Sequence, residues 1–311
     1  MLGKKKVVAP PPDQLCKDLA RRGPHPVDRG DLGIVGIPGS VYAPRTGTGL
    51  PAVAFGHAWR TDSAAYRDLM YHLASWGIVV ATPDSERGIM ASDIELATDL
   101  RAALTVTQSV SLGVQTPITV DAANVGLVGH GFGAAAAVYA ASDRVLLGRP
   151  QIPVKALAAL FPAPTTDDLL PAATKVTAPS LVLAAPDQLD SMNGNALILA
   201  KQLGDDVVLR TVPGSTNRGL LEHRSIKSLI GVNGAEKATH KTVRTQLTGY
   251  LLATLTGDPT YAAFADPEAI MPSVTAVDLG EARPADAGHV AQLLGVPAYT
   301  DDGGKRLPFG R

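Results

Sequence analysis

The chain has a single cysteine, Cys16, among 311 residues. It therefore cannot close an intramolecular disulfide or build a cysteine-based zinc site, and it fits a reducing compartment. An excess of either charge is also missing, with 28 Lys and Arg against 29 Asp and Glu, a formal net charge of -1. Nucleic acid or another polyanion would call for a basic excess, so no such partner is expected. No apolar run reaches the ~18–20 residues of a transmembrane span. There is no Walker loop, and the Gly129-x-Gly131-x-Gly133 spacing is tighter than the dinucleotide fingerprint. The expectation is a protein without cofactor or metal. Met1-Leu-Gly-Lys-Lys-Lys6 looks like the start of a signal peptide, but Pro10-Pro-Pro12 interrupts before an apolar core can follow. The reading is a basic, proline-stiffened arm on a cytoplasmic protein.

What is present is the composition of a packed globular chain, 45% hydrophobic and 18% charged. Its richness in Ala and Gly suggests a high-GC bacterial source. Short β-branched apolar runs alternate with longer helical patterns, which points to an α/β fold whose mostly parallel sheet is covered by helices on both faces. Strands are expected at Ala52–Phe55, Ile78–Ala81, Val125–Val128, Ala156–Phe161, Leu181–Ala185 and Val207–Val212. Most are continuously apolar, as strands buried on both faces are. Helices are expected at Asp62–Trp76, Ser92–Val110 (opened by a Ser92/Glu95 capping box), Phe132–Ala141, Asn195–Leu203 and Glu236–Thr256. Beyond Phe264 the pattern breaks at Pro267, Pro272 and Pro284, with one short helix expected over Ala285–Leu294.

The most informative stretch is Val125-Gly-Leu-Val-Gly-His-Gly-Phe-Gly-Ala134, a strand entering a tight turn and then a helix. That is the context of the nucleophile elbow G-x-S-x-G. Its centre here is Gly131, which has no oxygen or sulfur with which to attack a carbonyl. Glycine tolerates the elbow's backbone conformation, so the turn can outlive its chemistry.

Around this turn the chain resembles the α/β-hydrolase superfamily, in particular its dienelactone-hydrolase and polyester-hydrolase (cutinase-like) branch. The likeness runs from about Leu19 to Phe264 and rests on an ordered set of segments. These are Arg22-Gly-Pro-His-Pro-Val27, Val41-Tyr-Ala-Pro44, Pro51-Ala-Val-Ala-Phe-Gly-His-Ala-Trp59, and the helix and strand from Tyr66 to Asp84. The resemblance implies an α/β-hydrolase domain over residues 19–264, between an N-terminal arm (1–18) and a C-terminal extension (265–311).

It also implies where a catalytic triad would stand. The acid position falls in Leu181-Val-Leu-Ala-Ala-Pro-Asp-Gln-Leu-Asp190, with Asp187 first and Asp190 second. The histidine that usually closes Pro-Gly-x-x-His is replaced in Pro213-Gly-Ser-Thr-Asn217 by Asn217, which cannot take a proton. Gly131 and Asn217 thus leave the triad degenerate. The family's oxyanion donors map to the backbone N–H groups of Phe132 and of Ala58 or Trp59, and these would survive any side-chain change. His57 and His130 flank the emptied pocket and are read chiefly as structural, as is Asp84; Ser40 and Ser215 lack an elbow context.

The function expected is a catalytically inactive hydrolase-fold protein, a pseudo-hydrolase. It would bind an acyl or carboxylate ligand, or serve as a subunit of a larger assembly or homo-oligomer through its terminal extensions. The alternative is an active carboxylic-ester hydrolase with a non-standard constellation.

Overall fold

The computed structural model describes residues 9–109, 117–143, 146, 151–164, 168–191, 194–216, 218–222 and 234–280. The expected helix over 285–294 lies outside them. Among these described residues nine strands form one sheet: β1 (Val27–Asp31), β2 (Gly39–Pro44), β3 (Leu50–Gly56), β4 (Val79–Pro83), β5 (Val120–His130), β6 (Ala156–Leu160), β7 (Ser180–Ala184), β8 (Val207–Thr211) and β9 (Thr275–Ala276). Their order is β1-β2-β4-β3-β5-β6-β7-β8-β9. The stretch from β4 to β8 is parallel, β2 is antiparallel to both neighbours, and β9 is antiparallel to β8. This is the mostly parallel, doubly covered sheet expected of an α/β-hydrolase fold.

The continuous apolar runs resolve into two faces with the period of two that a strand imposes. Ala52 and Ala54 of β3, Leu127 of β5, and Val182 and Ala184 of β7 enter one core. Val53 and Phe55, Val128, and Leu181 and Leu183 enter the other. Helices α3 (Asp93–Ser109), α4 (Phe132–Ala141), α5 (Leu169–Ala173) and α6 (Ala196–Gln202) cover the first face. The second is covered by α1 (Pro12–Leu19), α2 (Arg67–Ser75) and α7 (Gly234–Leu251). All six expected strands are present, but β5 begins five residues before Val125, because Val120–Asn124 mixes Asp and Asn with Val and Ala and is exposed or only partly buried, so it carries no continuous apolar run. Within the segment read as an N-terminal arm, Pro12–Leu19 is helical, with Pro12 at the first helical position and Leu15 and Leu19 buried.

A buried arginine secures each flank of the sheet. On α3, Arg101 reaches the carboxyl end of α4, donating from Nε to the Ala140 carbonyl at 2.9 Å and from Nη2 to that of Ser142 at 2.8 Å. A cation on these carbonyls satisfies orphan acceptors and complements the helix dipole. On β8, Arg210 donates to Gln246 Oε1 at 2.7 Å and to the carbonyls of Ala263 and Asp266 at 3.0 and 2.9 Å. It thereby ties the chain after α7 to the sheet, where Met271 is buried and β9 adds the last strand. Residues 265–280 thus pack on the body of their own chain, with Met271 buried while the adjacent Ile270 points outward.

Replacing Arg101 with Met should destabilise the fold by about 3 kcal/mol in urea unfolding, because the α4 carbonyls would lose their donors while staying buried. A second expectation concerns pH. His72 of α2 is fully buried, and burial, reinforced by Arg244 and Arg22, lowers its pKa from 6.5 to about 4. The unfolded chain therefore binds the extra proton first, and stability should fall as pH drops from about 6.5 towards 4. The contribution is at most about 3 kcal/mol. Unfolding curves for wild type and His72→Leu over that range should show a shallower slope in the variant.

Candidate functional site

Three glycines let the backbone of β5 and α4 pass against β3. A Cβ on Gly129 would lie 2.0 Å from the Gly133 carbonyl oxygen, and one on Gly133 would lie 2.2 Å from that of Gly56. No side chain fits at either position. Gly131 between them is different. Its backbone sits at φ 57°, ψ −115°, a region that side-chain-bearing residues rarely adopt. Yet the nearest atom to a Cβ there, Ala58 Cβ, is 3.4 Å away. The turn is held by the Gly131 N–H donating to the Leu160 carbonyl (3.0 Å), and its own carbonyl accepts from Ala134 (3.1 Å) and Ala163 (3.2 Å). Space therefore demands glycine at 129 and 133 but not at 131, so the elbow is intact in shape and empty only of a side chain.

Beside the turn is a buried polar chain. The Tyr66 hydroxyl accepts from the Ala58 N–H at 2.9 Å and lies 2.7 Å from His130 Nδ1. The nearby Thr61 hydroxyl donates to the Ala58 carbonyl, and the His130 tautomer sets which of Tyr66 and His130 donates to the other. Burial pushes the Tyr66 phenol well above its usual range, so it stays neutral. The His130 ring packs edge-on against both Tyr66 and Phe161. His57 is fully buried, with Nδ1 2.9 Å from the Ala58 carbonyl and Nε2 2.7 Å from that of Ser85. Both histidines are thus engaged by their surroundings.

The oxyanion positions are unequal. The Phe132 N–H stands at the first position of α4, where no carbonyl of its own helix can reach it. The Ala58 N–H is already bonded to Tyr66, while Trp59 lies in a half-exposed turn with Arg60 stacked over its ring. Of the acid candidates, Asp187 lies exposed in a short 3-10 turn after β7, its carbonyl accepting from the Ser191 hydroxyl. The next residue, Gln188, turns inward instead: it accepts from the Ala185 N–H and donates to the Pro162 carbonyl. Asn217 lies outside the described residues. Asp84 holds the Ser63 N–H and hydroxyl at 2.7 and 2.9 Å, a turn-fixing role. Ser40 accepts from Arg29, and Ser215 donates to the Val212 carbonyl.

Two participants have no signal in the sequence. Tyr66 reads as a helix-start residue, and nothing in its neighbourhood announces a bond to Ala58. Phe161, at the end of an apolar strand, has a positive φ of 44° that its residue type would not suggest. Among the described residues no group of three or more His, Cys, Asp or Glu is placed to hold a metal, and no helix is long and apolar enough to cross a membrane.

Strand order, the strand–turn–helix at Gly131 and the acid-bearing turn after β7 define an α/β-hydrolase. The chlorophyllase family model matches residues 34–214, more than half the chain and the whole span from β2 to β8. The chain belongs to the chlorophyllase family. Comparison with curated proteins finds no match.

The glycine geometry predicts contrasting costs. Gly129→Ala should destabilise by about 3 kcal/mol or abolish folding, since backbone must move to admit the methyl group. Gly131→Ala should cost only about 1–2 kcal/mol, the strain of its φ. Denaturant midpoints for the two variants, made side by side, check this.

Proposed function

We propose that this chain is a hydrolase-fold protein that does not hydrolyse esters, and that the fold serves binding or assembly. The observation that carries the reading is Gly131, a nucleophile position with an elbow backbone and no side chain. Acyl transfer needs an atom that attacks the carbonyl and a base that accepts its proton. The aligned base position is Asn217. Removing either partner from a working hydrolase costs about 10⁶-fold in turnover. The likeness to the dienelactone-hydrolase and polyester-hydrolase branch supports assigning these positions to the triad.

The proposal has two arms, assembly and ligand binding. Binding of an acyl or carboxylate group would use the Phe132 N–H with the Trp59 N–H, since the Ala58 N–H is bonded to Tyr66. Membership of the chlorophyllase family favours a second reading, ester hydrolysis by an unrecognised nucleophile.

An activated serine separates the two. Incubation with a fluorophosphonate, followed by intact mass, should leave the protein unmodified, and p-nitrophenyl butyrate should turn over no faster than with denatured protein. A stoichiometric adduct together with rapid turnover would establish the second reading.

A further inference from the structure

Three loops meet at the carboxyl edge of the sheet, around the mouth of the elbow: residues 31–38 before β2, 57–63 after β3 and 84–95 after β4. They are stitched into one surface. The Asp84 N–H donates to the Pro38 carbonyl at 2.7 Å, Asp84 holds Ser63, and Arg87 pairs with Asp62 at 3.7 Å. Among the described residues six large apolar side chains are exposed, and five stand on these loops: Ile34, Val35, Trp59, Ile89 and Met90. Ile34 and Met90 are the extremes, 87% and 95% exposed. Scattered single apolar residues need no explanation, but a cluster of protruding ones on one linked surface does.

The charge around the cluster selects its partner. The same three loops carry six carboxylates and two arginines. One arginine is paired with Asp62 and the other lies over Trp59. Beside Met90, Glu86 and Glu95 are close enough that a shared hydrogen bond, and then their repulsion, push the Glu95 carboxyl up. An anionic bilayer is repelled by such a rim, and a second copy would bring acid against acid in a two-fold contact.

We propose that this rim docks a basic amphipathic segment of another protein, its apolar face on Ile34, Trp59 and Met90 and its cations on the surrounding carboxylates. This extends the assembly arm of the function above. Its test involves no ester turnover, so either idea can fail alone.

The probe is a fluorescein-labelled 14-residue amphipathic Leu/Lys peptide, titrated by anisotropy against the full chain, beside a Ser/Lys peptide of equal charge and a Leu/Glu peptide. Leu/Lys should bind at least tenfold more tightly than either comparator. The double variant Ile34→Ser, Met90→Ser should lose at least tenfold, and Ile270→Ser, remote and equally exposed, should lose nothing. Glu95→Lys, at a fully exposed carboxylate, should weaken binding several-fold and keeps the test alive if the double variant misfolds. Equal binding of Ser/Lys, or full binding by both rim variants, overturns the proposal. So does rim-dependent binding to phosphatidylcholine vesicles or rim-dependent dimerisation in light scattering, which would give the surface to a bilayer or to a second copy.

Discussion

Backbone contact between β3, β5 and α4 is the constraint on which the rest of this structure depends. Gly56, Gly129 and Gly133 bring the three elements together more closely than any side chain permits. Once they meet there, α4 must leave β5 through one tight turn, and the residue at its apex must take a positive φ. The Ala-rich sequence of α4 continues the logic, since small side chains let the helix lie against the sheet along its length. Arg101 then fixes the far end of the helix by binding its last carbonyls. The elbow is thus maintained at both ends by interactions that involve no catalytic group.

That separation explains how the turn persists around Gly131. Packing specifies positions 129 and 133 and is indifferent to 131, so the scaffold does not depend on a side chain at the apex. The surrounding polar groups have closed on one another. Tyr66 joins Ala58 to His130, and His57 is spent between two carbonyls. Buried donors and acceptors must find partners, and here they find them within the chain.

The fold was largely legible from the sequence. The six apolar runs, most of them continuous, became strands because burial on both faces makes such runs unavoidable in a parallel sheet. Phe132–Ala141 was read to the residue, helped by a glycine turn before it and a uniformly small composition. The edges were harder to read. Strand β1, Val-Asp-Arg-Gly-Asp, is mostly exposed, and β9 is two residues long, so neither carries an apolar signature. Helix α1 hid behind its own prolines, although proline at a first helical position is favourable.

By itself the sequence determined the central strands, most of the helices, the place of the tight turn and the glycine at its apex, because each depends on local patterning or residue identity. Tertiary structure alone decided what surrounds the elbow. Whether the Ala58 N–H is available depends on a tyrosine eight residues away, and whether Arg210 is buried depends on a chain segment over fifty residues distant. It also gathered Ile34, Trp59 and Met90, from three separate loops, onto one edge. Hydrogen-bond partners and exposed surfaces belong to pairs and groups of residues brought together by folding, and no single stretch of chain encodes them.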